Sequence, residues 1–454
     1  MKRIFLFCLT AFLCLNTFSS PKYLIETGED GDATWTASIA GAEKVNLKTA
    51  EKTLNEWMNA TFTSAPSGTD IWLAAGTYAL NGSISVSFST IHLYGGFRGN
   101  ETAVNLRAAG AEPWNIQYQT IIDGGGTYQI CSANFNGIWD GLTFTHGNKS
   151  SGNGSVASLY HSAIIRNCRF VNNTSSNQGG VLHIYQKNNV NISNCYFESN
   201  TASQGGAIYI ANNDKDYTCV INHCYFKDNN ASSSANAGGA VYIQGPGTYT
   251  IAASVFDHNN ASGNGPAIFS NGTGDGVYTT ISNCLIKNQQ NADRHAVYLL
   301  QGAVLNCTFA RNAGGALYMS SGSSATYDGR FENNIVWGVD SAECKIAIKD
   351  DAHYKFNNNA VVWMILWPNP ANAESNMNKY LTIGNTSYFR GPSIGDYHLC
   401  AGAEDKVWKQ GKDLSGDGIT TDLDGATRTT NDIGCYIYKI APDGCSNCFY
   451  LCGE

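Results

Sequence analysis

Charged side chains recur at one loop position of this chain. The loop holds Lys187, then Asp214, Lys215 and Asp216, then Asp275, then Asp328 and Arg330. Each group follows a run of the type Gly-Gly-Ala-aliphatic-Tyr-aliphatic or a variant of it, as at Gly205–Ile210. If the runs stack, so do the loops, and a rigid scaffold with loops on one side is where sites are built. Lys187, Asp214, Lys215, Asp216 and Asp275 are therefore the ligand-binding candidates, with Asp214 and Asp216 as polar or Ca²⁺ contacts. The competing reading is a solvated edge whose charges keep the chain soluble. Glycoside hydrolysis would need two Asp or Glu side chains on neighbouring units. Lys349-Asp350-Asp351 and His146-Gly147 are isolated fragments of such chemistry, and Asp is also a common turn former.

A second candidate lies near the C-terminus. In Asp413-Leu-Ser415-Gly-Asp417-Gly-Ile419-Thr-Thr421-Asp-Leu-Asp424, oxygen donors fall at positions 1, 3, 5, 9 and 12, with Gly at 6 and the Ile419 carbonyl at 7. That spacing suits a Ca²⁺ loop, although Ser at 3 and Asp at 12 weaken it and no clear helices flank it. Cys435, Cys445, Cys448 and Cys452 follow. Their spacing could hold zinc, but in an exported chain disulfides are the stronger expectation. No Ser-His-Asp spacing, phosphate loop or dinucleotide fingerprint stands out. Trp363, Trp367 and Pro368 suit aromatic cover for the last coil better than a sugar platform.

The elements that must position these residues are repeats. Asn167-Cys168-Arg169-Phe170, Asn194-Cys195-Tyr196-Phe197, His223-Cys224-Tyr225-Phe226, Ala253-Ser254-Val255-Phe256, Asn283-Cys284-Leu285-Ile286 and Asn306-Cys307-Thr308-Phe309 succeed one another at steps of 27, 29, 30, 30 and 23 residues. Apolar runs of four to six residues suit strands and are too short for helices. Residues two apart share a strand face. Cys168 and Phe170 then point inward together, and one unit per coil stacks Cys on Cys, Phe on Phe and Asn on Asn. The predicted fold is all-β: a right-handed parallel β-helix of roughly nine to twelve coils. The five repeat cysteines are expected as inert buried hydrophobes. Leu47, Ala50, Leu54, Trp57 and Met58 show helical spacing, so a helix over 46–60 is expected to cap the open end.

These units resemble the repeats of polymorphic outer-membrane proteins, marked by Gly-Gly-Ala-Ile and Phe-x-x-Asn, over residues 165–335. Asp70–Tyr78, Ile91–Glu101, Thr120–Gly124 and Trp139–Phe144 are similar to the N-terminal half of pectate-lyase-like β-helix proteins secreted by Bacteroidota, and Asp422–Arg428 with Asp432–Tyr436 is similar to that family's end signature. The first resemblance implies a surface-exposed β-helix of the kind found in adhesins. Its C-terminal membrane barrel has no counterpart here. The second implies a polysaccharide lyase that uses Ca²⁺ and an Arg or Lys base, or a hydrolase, but the family's hydrolase motifs are not found as a set.

Lys2-Arg3 and the apolar stretch Ile4–Leu15 read as a secretory signal over 1–20. The regions after it are a cap with first coils (21–110), the repeats (111–365) and a coil end with a Cys-rich tail (366–454). Loss of Lys2 and Arg3 takes the formal charge from −8 to −10, which disfavours nucleic acid as a partner. No other apolar segment is long enough to span a membrane. The expected function is an exported, surface or extracellular protein that binds polysaccharide or host glycans without catalysis. The alternatives are a lyase or glycoside hydrolase working in a groove along the coils, and a structural spacer.

Overall fold

The computed structural model describes residues 22–436 except 63–67, 87–90, 133–136, 186–188, 272–276, 321–328, 350–353, 363–364, 367–377 and 401–403. The described residues form a parallel β-helix of about 9 turns. Its walls are parallel sheets of 13, 12 and 9 strands, with a 5-stranded ladder at one corner. A full coil visits the three walls in turn. One coil runs through Val190–Ser193 in the thirteen-stranded sheet, Tyr196–Glu198 in the twelve-stranded sheet, Thr201–Ala202 in the ladder and Ile208–Ala211 in the nine-stranded sheet.

The corners explain the repeat's polar residues. Asn167, Asn194, His223, Asn283, Asn306 and Asn333 all sit at φ between 50° and 59°. Asn adopts this left-handed conformation more readily than other side chains, so a sharp bend between sheets selects it. The Gly pair turns the opposite corner for two reasons. Gly205 has φ 63°. Gly206 has no room for a side chain, because a Cβ there would lie 2.1 Å from the Gly239 carbonyl oxygen of the next coil.

Inside, like residues stack as the spacing predicts. Phe144, Phe170, Phe197, Phe226 and Phe256 form a column with centroids 4.7 to 5.3 Å apart. Beside it runs a buried amide ladder. The Asn173 side chain donates to Asn200 Oδ1 at 3.0 Å, Asn200 to Asn229 at 2.9 Å and Asn229 to Asn259 at 2.9 Å. Cys168, Cys195, Cys224, Cys284 and Cys307 are buried free thiols. Each donates to the carbonyl two residues earlier, as from Cys195 to Ser193 at 3.2 Å. Burial pushes the Cys195 and Cys307 thiols well up.

Three expectations need correction or placement. The helix is Leu54–Thr61, while Glu43–Asn46 is a strand. The start is set at Thr53, whose amide donates to the Glu56 carboxylate at 2.8 Å in a capping box. The apolar residues before it belong to the sheet and its turn. Cys435, expected in a disulfide, is instead a free thiol buried against Thr308, and burial pushes it up to about 12. Cys445, Cys448, Cys452, Trp363, Trp367, Pro368 and the 1–20 leader lie outside the described residues. Among the described residues no helix is long and apolar enough to cross a membrane.

Candidate functional site

The outward residues of the twelve-stranded sheet are those between and after the inward Cys and Phe. Strand register aligns them in two columns: Arg169, Tyr196, Tyr225 and Val255 in one, and Val171, Glu198, Lys227 and Asp257 in the other. Above the first column lies a loop carrying Trp114. Its ring stacks on Tyr196 at 5.9 Å and 21°, and meets Tyr225 edgewise at 6.4 Å. These rings bound a groove of about 680 Å³, which Arg169, Asn194, His223, Lys227, Asp424 and Tyr436 also line.

The charges in and beside the groove are not equivalent. Lys227 pairs with Glu198 at 3.0 Å. Asp257 accepts from Tyr225 Oη at 3.0 Å and Asn288 Nδ2 at 3.1 Å, with Lys287 at 3.4 Å and His258 Nδ1 at 2.6 Å. Burial alone would raise the Asp257 carboxyl, but Lys287 and these donors hold it below the usual range. Arg169 differs. Its guanidinium lies 5.4 Å from the Tyr196 ring centre, and its buried Nε donates to no protein atom. A buried donor without a partner is costly unless a ligand or water serves it. His223, on the same groove wall, is shifted downward by burial, so the neutral ring is favoured.

The groove's two ends are unlike. Beyond Asp257, the outward residues Leu285, Ala310, Ile335 and Trp337 are buried under a C-terminal segment that packs Phe389, Tyr397, Ile433 and Tyr436 onto them. Corner asparagines hold this segment: Asn283 donates to the Thr421 carbonyl at 2.8 Å, Asn306 to Asp432 at 2.9 Å and Asn333 to Lys412 at 2.7 Å. His398 braces the segment between Asp396 and Asp424, at 2.5 and 2.8 Å, and stacks on Tyr436 at 4.0 Å. At the other end, Thr143 and Thr145 are partly exposed, and Thr77 and Ala79 are exposed.

A second aromatic column faces outward from the nine-stranded sheet. Tyr209, Tyr242, Phe269, Tyr298 and Tyr318 stack at 4.5 to 5.0 Å.

The described residues singled out from sequence fall elsewhere. Asp214, Lys215 and Asp216 lie on the loop joining the nine- and thirteen-stranded sheets, not beside the groove. Asp214 Oδ1 accepts the Asp216 amide at 3.0 Å, the ordinary work of a turn. Lys187 and Asp275 lie outside the described residues. The Ca²⁺-loop oxygens are not brought together. Asp413 accepts the Ser415 amide at 2.9 Å, Asp417 is held by Arg330 through two bonds of 2.6 and 2.9 Å, and Asp424 pairs with His398. Ile419 packs into an apolar cluster with Leu414, Ala303 and Leu305, and the Thr421 carbonyl accepts from Asn283 and Arg428. Among the described residues no three His, Cys, Asp or Glu side chains gather as a metal site would require. Arg169, Tyr196, Tyr225 and Lys227 were not singled out from the sequence although a signal existed: a residue between an inward Cys and an inward Phe, or just after that Phe, must face out. Trp114 had no such signal.

No family model matches the chain, and no curated protein sequence matches it. Among solved structures, the crystal structure of pectate lyase Pel9A is similar at a TM-score of 0.43 and 11% identity, over 92% of this chain and 97% of that one.

Proposed function

We propose that this chain is an exported glycan-binding β-helix whose groove on the twelve-stranded sheet holds an oligosaccharide. The observation that carries this reading is the juxtaposition of Trp114, Tyr196 and Tyr225 with Arg169, whose buried Nε is unserved. Aromatic side chains offer an apolar face with a polar rim of the kind a pyranose ring needs. A guanidinium suits a carboxylate or sulfate on that sugar. The formal charge of −8 opposes long-range attraction of a polyanion, so recognition rests on one acidic group at Arg169. Salt should weaken binding only modestly.

Calorimetry against oligogalacturonides, sulfated galactans and neutral galactans tests the reading. Binding of an acidic oligosaccharide that falls at least tenfold in Trp114→Ala and in Arg169→Gln is expected. Binding indifferent to both substitutions, or none across the panel, would refute it. A second reading, β-elimination, is favoured by the neutral His223 on the same wall. Its ring nitrogen would take the proton beside a uronate carboxylate held by Arg169. The C4=C5 bond would then form as the C4–O bond breaks, with solvent protonating the leaving oxygen. Unsaturated chain ends that vanish in His223→Ala would favour it.

A further inference from the structure

The twelve-stranded sheet forms a trough that is open at one end and filled at the other. From Thr143 to Val255 its outward face borders the groove or solvent, whereas Leu285, Ala310, Ile335 and Trp337 on the same face lie under the C-terminal segment and are at most 3% exposed. The boundary is built by Leu423, Asp424 and Tyr436, which line the groove where it meets that segment. It is also firmly set. His398 joins Asp424 to Asp396, Asp422 accepts the Ala426 amide at 2.8 Å, and Arg428 donates to the Gly434 carbonyl at 2.7 Å and to Asn283 Oδ1 at 3.0 Å. A polymer lying along the trough cannot continue past this wall.

We infer that the groove reads the end of a glycan chain rather than its interior, with the terminal sugar against Asp424 and Tyr436 and the chain leaving over Arg169 toward Thr143. This rests on the glycan-binding reading and specifies its ligand class. The span from Arg169 to Val255 covers four strands, about 14 Å at a strand spacing of roughly 4.8 Å, so only a short oligosaccharide is held. Asp424 would accept hydroxyl hydrogens that exist only at a free chain end, and the Tyr436 edge would exclude a further linked sugar. A blocked end would forfeit the hydrogen bond to Asp424 and collide with Tyr436, and the two effects together give specificity. Chain-end reading separates this protein from one that coats polymers along their length.

The test is stoichiometry against chain length, using homogeneous galacturonan fractions of increasing length, free or blocked at one end or the other. Wild type should bind one molecule per polymer whatever the length, and blocking the recognised end should lower affinity at least tenfold. Tyr436→Ala with Asp424→Ala should relieve the block by at least tenfold, because the wall is what excludes the added group. Circular dichroism and the unfolding midpoint confirm that this variant is folded. If it is not, Asp424→Asn is used, and it should lower free-end affinity without altering blocked-end affinity. Stoichiometry that rises in proportion to length, or equal affinity for free and blocked ends, would overturn the inference while leaving glycan binding intact. Absence of binding to every fraction would overturn both.

Discussion

Replacing Asn229 by Ala removes the centre of the buried amide ladder, and the structure sets the size of the loss. Asn229 Oδ1 accepts from the Asn200 backbone amide at 3.1 Å and from Asn200 Nδ2 at 2.9 Å, while its Nδ2 donates to the Phe197 carbonyl and to Asn259 Oδ1, both at 2.9 Å. Asn259 Oδ1 keeps the Asn229 backbone amide at 3.1 Å. Two groups are then orphaned, the Asn200 amide and one Asn200 side-chain hydrogen, while the Phe197 carbonyl keeps its pairing to the next strand. Each costs about 1–3 kcal/mol when buried without a partner. Water entering the vacated space lowers this, so about 3 kcal/mol is expected, a large share of a typical total stability of roughly 5–15 kcal/mol. In a solenoid the damage is local first. Hydrogen exchange should therefore show lost protection in segments 196–202 and 225–231 before the distant coils, alongside a lower urea midpoint. Asn260→Ala is the control, since that side chain is only partly buried and donates to Asn230 Oδ1 at 3.0 Å. A difference between the two variants below about 1 kcal/mol would refute the ladder's structural role.

Other outcomes follow from the same packing. Gly206→Ala should destabilise the chain by more than an exposed Gly→Ala change, measured by urea unfolding, because its Cβ meets the Gly239 carbonyl at 2.1 Å. Asp140 is buried between Arg107 and Arg166, at 2.8 Å from each. Burial alone would raise its carboxyl, but the two guanidiniums hold it low. Its contribution is therefore present above the unfolded value of about 3.9 and lost as pH falls through the lower folded value. Asp140→Asn should cost about 3 kcal/mol at pH 7 and show a shallower loss of stability below about pH 4. Native Cys195 and Cys307 should resist a thiol reagent at pH 8 and react only in denaturant, as mass spectrometry of labelled peptides would show. Burial raises both thiols and closes access to them.

Much of the fold was legible because its determinants are local and repeated. The Cys-x-Phe spacing fixes which face of a strand is inward, and Phe-x-x-Asn places the amide that becomes Asn173, Asn200 and Asn229. The helix start was not legible. Leu47 and Ala50 keep a helical spacing with Leu54, but their segment is a strand end and turn whose pairing with Tyr23–Glu26 is a tertiary fact. The groove was half legible. Tyr196 and Tyr225 must face outward from their place in the repeat, yet nothing local shows that Trp114 lies above them or that the C-terminal segment covers Leu285 and Trp337. The Asp-rich loops misled in the other direction. Asp214 and Asp413 are spaced like ligands, but each accepts a backbone amide two residues on, as Asp does in turns. Asp417 finds Arg330, 87 residues away, a partner no spacing rule reveals.

Hydroxyl-radical footprinting of the protein with and without a saturating acidic oligosaccharide tests the central claim most directly, because it locates the bound sugar without assuming a reaction. Protection confined to Trp114, Tyr196, Tyr225 and Tyr436, with Tyr298 and Tyr318 on the nine-stranded sheet unchanged, is the result predicted for a groove on the twelve-stranded sheet. Protection of Tyr298 and Tyr318 with Trp114 and Tyr196 unchanged would contradict it.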